Sequence, residues 1–115
     1  MSNGSSQSKR FSYEDVEGLN NLQEVLREYL TTEKDQSALF RLQIVNYELG
    51  SLGRMLVYRH VSPKSARCGS KEDLRVDIGD AFVNLIILSQ ILGISSSEAL
   101  SEGMSRLENR EWRRV

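Results

Sequence analysis

The segment from Ser70 to Leu92 constrains the fold more than any other part of the chain, because its two halves make opposite demands. In the first half, four polar side chains recur at spacings of four, three and four, which places them on one stripe of an α-helix. These side chains are Asp73, Asp77, Asp80 and Asn84. The second half, residues 81–92, is apolar on almost every side. A helix of this kind has to hold a cation along its stripe and lie at the centre of a bundle or an oligomer.

Two interpretations of the acidic stripe are open from the spacing alone. Stacked carboxylates repel one another, so the stripe costs stability unless a counter-ion is bound, and a divalent metal ion is the simplest one. Alternatively, the helix dipole favours a solvated acidic first turn. That second interpretation accounts well for Asp73 and poorly for Asp80, which lies at the edge of the apolar half.

Composition and charge exclude several classes of protein. The 115 residues suffice for one domain, and 15 basic against 16 acidic residues give a net charge of −1. No bulk field therefore recruits a nucleic-acid polymer or an anionic membrane. The apolar run at residues 81–92 is shorter than the roughly 18–20 residues of a membrane span. A single cysteine, Cys68, rules out an internal disulfide framework and is typical of a reducing cytoplasm.

The periodicity of the chain predicts an all-α fold, a four-helix bundle. Residues 1–10 lack the apolar core of a signal peptide and are expected to form a disordered lead to a single domain at 11–115. The expected helices are Ser12–Leu30, Gln36–His60, Ser70–Leu92 and Ser95–Glu108. Hydroxyl caps begin the first, third and fourth, and Gly93 ends the third. Because one bundle cannot cover every side of the third helix, we expect a homo-oligomer, a dimer or a tetramer.

The second predicted helix carries one acid and two glycines that need explanation. Glu48 lies within an apolar stripe, and a short connection would bring it beside Asp77 and Asp80 on the antiparallel third helix. Carboxylates from two helices around one gap suit Mg²⁺, which prefers oxygen ligands. Gly50 and Gly53 each cost about 1 kcal/mol relative to alanine within a helix, so we expect a helix or a ligand to approach closely there.

The order of these motifs resembles that of a known family. ELGS at residues 48–51 is followed by DIGD at 77–80, by an apolar helix, and then by LGI at 92–94 and EAL at 98–100. The pattern is similar to that of the MazG-like all-α nucleoside triphosphate pyrophosphohydrolases, over residues 40 to about 108. That family carries ExxE on one helix and ExxD on the next.

The resemblance implies a fold of the all-α NTP pyrophosphatase type and an Mg²⁺-dependent hydrolysis of a nucleoside triphosphate to its monophosphate and pyrophosphate. It assigns Glu48, Asp77 and Asp80 as catalytic and metal-binding residues. Ser51 stands where the family has its second glutamate, and its hydroxyl can still ligate the metal but brings no charge. Asp73, one turn before Asp77, could compensate in part. An active enzyme and an inactive relative that binds a nucleotide or a protein therefore both stay open.

Three further side chains are candidates for contacts with the substrate. Asn84 continues the acidic stripe and either holds a ligand oxygen or forms a hydrogen bond between helices. Arg54 flanks the predicted site and either meets the triphosphate or is simply solvated. Arg106 lies in a region of the fourth helix where members of the family often have a basic or amide residue near the phosphates.

Overall fold

The computed structural model describes residues 11–109, so the disordered lead predicted for residues 1–10 lies outside the described residues. Within that part of the chain all regular structure is helical, which confirms the all-α class. There are four α-helices and two short 3₁₀ turns, at Tyr13–Asp15 and Ala66–Cys68. The helices are α1 (Leu19–Arg27), α2 (Ala38–Val61), α3 (Lys71–Ile91) and α4 (Ser96–Asn109).

The prediction of one helix over Ser12–Leu30 is wrong in its extent. The backbone N–H of Ser12 does donate to the carboxylate of Asp15, at 3.0 Å, but this cap starts only a 3₁₀ turn. The buried hydroxyl of Ser97, from α4, contacts the carbonyl oxygens of Val16 and Glu17 at 2.8 and 3.2 Å. These contacts hold both carbonyls in a turn, so the helix begins only at residue 19.

The other three helices agree with their predicted bounds to within two residues. The hydroxyl of Ser37 accepts a hydrogen bond from the N–H of Phe40 at the start of α2. Ser70 and Asp73 form a reciprocal capping box at the start of α3. Gly93, with φ of 73°, lies just beyond the end of α3 in a conformation that favours glycine.

Helices α2 and α3 form an antiparallel hairpin that is the main body of the fold. Arg41, near the start of α2, contacts Asn84 far along α3. Met55, near the other end of α2, lies against Gly69 just before α3 begins. The connection is held by Arg59, whose guanidinium donates to the carbonyl oxygens of Cys68 and Gly69, each at 3.2 Å. This register places the middle of α2 opposite the DIGD segment of α3.

Helix α1 is attached to the turn between α3 and α4 by side-chain amides. Gln23 donates to the carbonyl of Ile94 at 2.7 Å and accepts from the N–H of Ser96 at 2.9 Å. The amide oxygen of Asn20 accepts from the hydroxyl of Ser95 and from the N–H of Ser97. Gln23 and Ser97 are buried, so this junction orders α1 through polar contacts rather than through a wide apolar interface.

A single copy of the chain buries few large apolar side chains. The buried apolar residues are Val16, Leu30, Val45, Cys68, Ala81 and Ile87. Within one chain α3 is therefore not covered on every side: Phe82, for example, is 63% exposed.

Among residues 11–109 no single helix has the length and hydropathy of a membrane span. By length and composition one pair, Ala66–Ile91 with Ser96–Asn109, passes the same test together, but it is bent by 114°.

Candidate functional site

The centre of the α2–α3 hairpin brings together three carboxylates that the sequence places on two helices. Glu48 of α2 is half-buried and faces Asp77 and Asp80 of α3. Burial raises the pKa of the Glu48 carboxyl above its ordinary value, and the negative charges of Asp80 and Asp77 raise it further. The three predicted acids are therefore neighbours, and the repulsion from the two aspartates is expressed as a raised pKa of Glu48.

Asp77 adds a second sign that this group needs a counter-ion. Its Oδ2 atom is buried and has no hydrogen-bond donor in the described part of the chain. A buried carboxylate oxygen without a donor or a cation is costly, because the charge has lost its hydration without replacement. An oxygen-rich group with one unsatisfied oxygen suits a hard cation such as Mg²⁺.

The carboxylates do not converge on a common point. Among residues 11–109 no group of three or more His, Cys, Asp or Glu side chains has the arrangement of a formed metal site. Asp80 is exposed, and mutual repulsion keeps the negative side chains apart. A bound ion would have to draw them together by side-chain rotation.

Ser51 and Asp73 were expected to complete the set of metal ligands, and they differ in whether other contacts already engage their side chains. Ser51 is half-buried and lies one turn after Glu48 on α2, as a ligand from the same face would. Asp73 is engaged elsewhere, because its carboxylate accepts the backbone N–H of Ser70 at 2.8 Å. That hydrogen bond, with the one from the Ser70 hydroxyl, lowers the pKa of Asp73. Asp73 therefore belongs to the capping box of α3, and compensation for the missing glutamate is not seen in this arrangement.

Asn84 lies one turn beyond Asp80 and is held within the chain. Its amide nitrogen donates to the carbonyl of Asp80 at 2.9 Å, and its amide oxygen accepts from Arg41 at 3.0 Å. Of the two interpretations from sequence, the hydrogen bond between helices is the one observed. A contact between Asn84 and a substrate stays a prediction.

Arg41 is a cation of the α2–α3 hairpin that the sequence analysis did not single out. Its side chain is 13% exposed, and its guanidinium also contacts the carbonyl and the carboxylate of Asp35, at 3.0 and 3.6 Å. Arg41 precedes Glu48 by seven residues, so it shares the same face of α2. That spacing was readable in the sequence, but its partner Asn84 was not, because it depends on the register of the hairpin.

The two other predicted substrate contacts lie on solvent-facing surfaces. Arg54 is exposed on α2 and lines a shallow groove with Gly53, Val57, Tyr58 and Val61. Arg106 of α4 forms an ion pair with Glu102 one turn earlier, at 2.7 Å, and is 70% exposed. No hydrogen bond or ion pair joins either arginine to the three carboxylates within residues 11–109, and their roles in binding stay predictions.

Comparisons with protein-family models, with curated proteins and with solved structures find no match to this chain. The functional interpretation therefore depends on the residues of the hairpin and on their chemistry.

Proposed function

We propose that this protein is an Mg²⁺-dependent nucleoside triphosphate pyrophosphohydrolase of the MazG-like type, which releases a nucleoside monophosphate and pyrophosphate. One observation carries the proposal: Glu48 on α2 lies against Asp77 and Asp80 on α3, and both aspartates raise the pKa of its carboxyl. Nothing in the packing of a helical hairpin requires three acids to meet at its centre. Their mutual repulsion is a stability cost that a bound divalent cation would offset.

In this proposal the carboxylates of Glu48, Asp77 and Asp80 hold the metal, with the Ser51 hydroxyl as a neutral ligand. When bound, Mg²⁺ would neutralise phosphate charge and polarise the attacking water. Asp77 supports this role through its buried oxygen, which has no donor within residues 11–109, and Asp80 through its exposure to solvent. Arg54, Asn84 and Arg106 are the proposed contacts with the triphosphate.

The same proposal includes a homo-oligomer, a dimer or a tetramer, with the bundle type of the MazG-like proteins, and a cytoplasmic location. Cys68 is a free cysteine, as a protein of a reducing compartment would have. Exposed apolar side chains along α2 and α3 support association.

A second candidate function is an inactive relative that binds a nucleotide or a protein through the same hairpin. Ser51 favours it, because losing even a partner of a metal ligand typically costs 10–100-fold in affinity or activity.

Pyrophosphate release from a panel of nucleoside triphosphates, with and without Mg²⁺, separates the two candidates. The proposed enzyme releases pyrophosphate only with Mg²⁺, and Asp80→Asn lowers the rate at least about tenfold. Glu72→Gln is the matched control, because Glu72 is an exposed acid of α3 that pairs with Arg75 rather than with the three carboxylates. Background turnover on every nucleotide, together with nucleotide binding that survives, would instead support the inactive relative.

A further inference from the structure

The second half of α2 carries a shallow groove that is open to solvent. We call it the α2 groove: it has a volume of about 480 Å³ and is lined by Gly53, Arg54, Val57, Tyr58 and Val61. Val57 and Val61 are 58% and 62% exposed, so the groove presents apolar surface. Val57 follows Glu48 by nine residues, which is half a turn at about 100° per residue. The centre of the α2 groove therefore faces away from the three carboxylates.

Gly53 deepens the α2 groove at a cost to the stability of the helix. Glycine is among the least favourable residues within a helix, because its backbone loses the most freedom on ordering. A Cβ placed at Gly53 would meet no atom within 4 Å, so the packing of residues 11–109 does not require the glycine. Close approach of another group to the backbone is the usual reason for such a residue. The position points to a group from outside residues 11–109.

The segment around the α2 groove is basic, although the whole chain has a net charge of −1. Residues 49–71 contain no Asp or Glu, and their five Lys and Arg residues are Arg54, Arg59, Lys64, Arg67 and Lys71. Within residues 11–109 no ion pair joins any of them to a carboxylate. The acids that follow, Glu72 and Asp73, are engaged by Arg75 and by the backbone of Ser70. Because salt screens exposed charges beyond about 8–10 Å, more distant acids do not cancel this local charge, and the groove suits an acidic partner.

The lining of the α2 groove favours a protein segment over a nucleic acid or a membrane. Val57 and Val61 offer apolar contact, which the phosphates of a nucleic acid cannot use. The Arg67 guanidinium lies over the Tyr58 ring, 5.5 Å from its centroid, and donates to its hydroxyl at 2.7 Å. That face of the ring is therefore not open to a stacked base. The loop that follows, residues 62–67, has no large apolar side chain to insert into a bilayer.

The length of the α2 groove fits two turns of a partner helix. From Gly53 to Val61 it extends for about 12 Å, at 1.5 Å per residue. Apolar side chains at i, i+4 and i+7 of a helix span about 10.5 Å and are the usual anchors of a helix bound in a groove. The ends of this chain do not match the groove, because residues 1–10 and 110–115 both carry a net positive charge.

We propose that the α2 groove binds an acidic amphipathic helix of another protein. The apolar side chains of that helix lie against Gly53, Val57 and Val61, and its carboxylates meet Arg54 and Arg67. Binding there is independent of the proposed metal chemistry, because the groove is formed on the side of α2 away from the carboxylates. Arg54 is also a proposed contact with the triphosphate, so the test leaves it unchanged.

Fluorescence anisotropy of a labelled synthetic peptide, added to the full chain, tests the proposal. The probe is a helix of about 15 residues with leucine at i, i+4 and i+7 and glutamate on its other faces. It should bind the wild type, and binding should weaken at least about tenfold between about 0.05 and 0.5 M salt. Gly53→Leu should weaken binding at least about tenfold, because the leucine occupies the space of an anchor. Gly103→Leu is the matched control, since Gly103 is an exposed glycine of α4 whose Cβ would also meet no atom within 4 Å.

Thermal unfolding separates a filled groove from a misfolded chain. Leucine has the better helix propensity and enters open space, so Gly53→Leu should not lower the unfolding temperature. Peptides with serine for every leucine, or with lysine for every glutamate, should bind the wild type at least about tenfold more weakly than the probe.

Three results would overturn the proposal. One is a wild-type chain that does not bind the acidic probe. Another is equal binding by Gly53→Leu and Gly103→Leu. The third is tighter binding of single-stranded DNA of about 20 nucleotides, or of vesicles of anionic lipid, that Gly53→Leu leaves unchanged, because the basic segment would then bind phosphates without using the groove.

Discussion

At Glu48 two neighbouring negative charges and partial burial act in the same direction. All three raise the pKa of its carboxyl, so the folded protein binds this proton more tightly than the unfolded chain does. Linkage then fixes the sign: the contribution of Glu48 to stability is present at low pH and is lost as the pH rises through the raised pKa. The contribution of Asp73 to stability depends on pH in the opposite direction, because the pKa of its carboxyl is lowered.

The prediction is a difference between two pH profiles. Without metal, the free energy of unfolding of the wild type should fall relative to Glu48→Gln as the pH rises from about 4.5, the ordinary pKa of the group. Urea unfolding in EDTA between pH 4 and 8 measures this, and the contribution of Asp73 cancels in the comparison. Parallel profiles would mean that Glu48 does not feel the two aspartates.

Ser51 is the residue at which the repulsion can be increased. Ser51→Glu adds a fourth negative charge one turn from Glu48, so the metal-free variant should unfold at a lower temperature than the wild type. Saturating Mg²⁺ should raise the unfolding temperature of the variant by more than that of the wild type, since a ligand that binds only the folded state stabilises it. Thermal unfolding with EDTA and with Mg²⁺ checks both parts. If the unfolding temperature responds neither to the substitution nor to Mg²⁺, Ser51 is not part of a metal site.

Gly50 tests the expectation that something approaches the glycines of α2. A Cβ placed there would meet only the Arg54 guanidinium, at 3.7 Å, which is an ordinary contact with a flexible side chain. Gly50→Ala should therefore raise the free energy of unfolding by about 1 kcal/mol, through the better helix propensity of alanine. Chemical denaturation measures the change. A loss of stability would show that a helix or a ligand does approach this position.

At the scale of the elements, the docking of α1 depends on one hydroxyl of α4. Ser97 is fully buried and reaches the carbonyl oxygens of Val16 and Glu17. Ser97→Ala should cost about 1 kcal/mol, because it removes a buried hydrogen bond that links α4 to the turn before α1. Ser105→Ala, at an exposed position of the same helix, is the control and should change stability little. Equal effects of the two variants would mean that α1 is held by other contacts.

The sequence predicted the features that depend on neighbouring residues. Capping by Ser70 and the stop at Gly93 are local, and they fixed α3 to within one residue at each end. The meeting of Glu48 with Asp77 and Asp80 needed only helical spacing and an antiparallel connection. The short α1 was not predictable in this way, because the hydroxyl that interrupts it lies 81 residues from Val16. The contact of Arg41 with Asn84 likewise depends on the exact register of two helices.

At the scale of the whole molecule, the chain is a helical hairpin with two shorter helices attached. Its apolar side chains are divided between a narrow buried interface and a wide exposed surface, of which Phe82 is the most exposed member on α3. In a monomer that surface would contribute little free energy to folding, whereas association would bury it.

Calorimetric titration of the metal-free protein with Mg²⁺ at pH 7.5 tests the metal site most directly. The wild type should bind one equivalent of Mg²⁺ or more per chain. Ser51→Glu should bind it at least about tenfold more tightly, and Asp80→Asn correspondingly more weakly. Glu72→Gln, which alters an acid that is not among the proposed metal ligands, should match the wild type. Failure of the wild type to bind, with no response to Ser51→Glu or Asp80→Asn, would contradict the account and leave the acids of α2 and α3 a stripe without a cation.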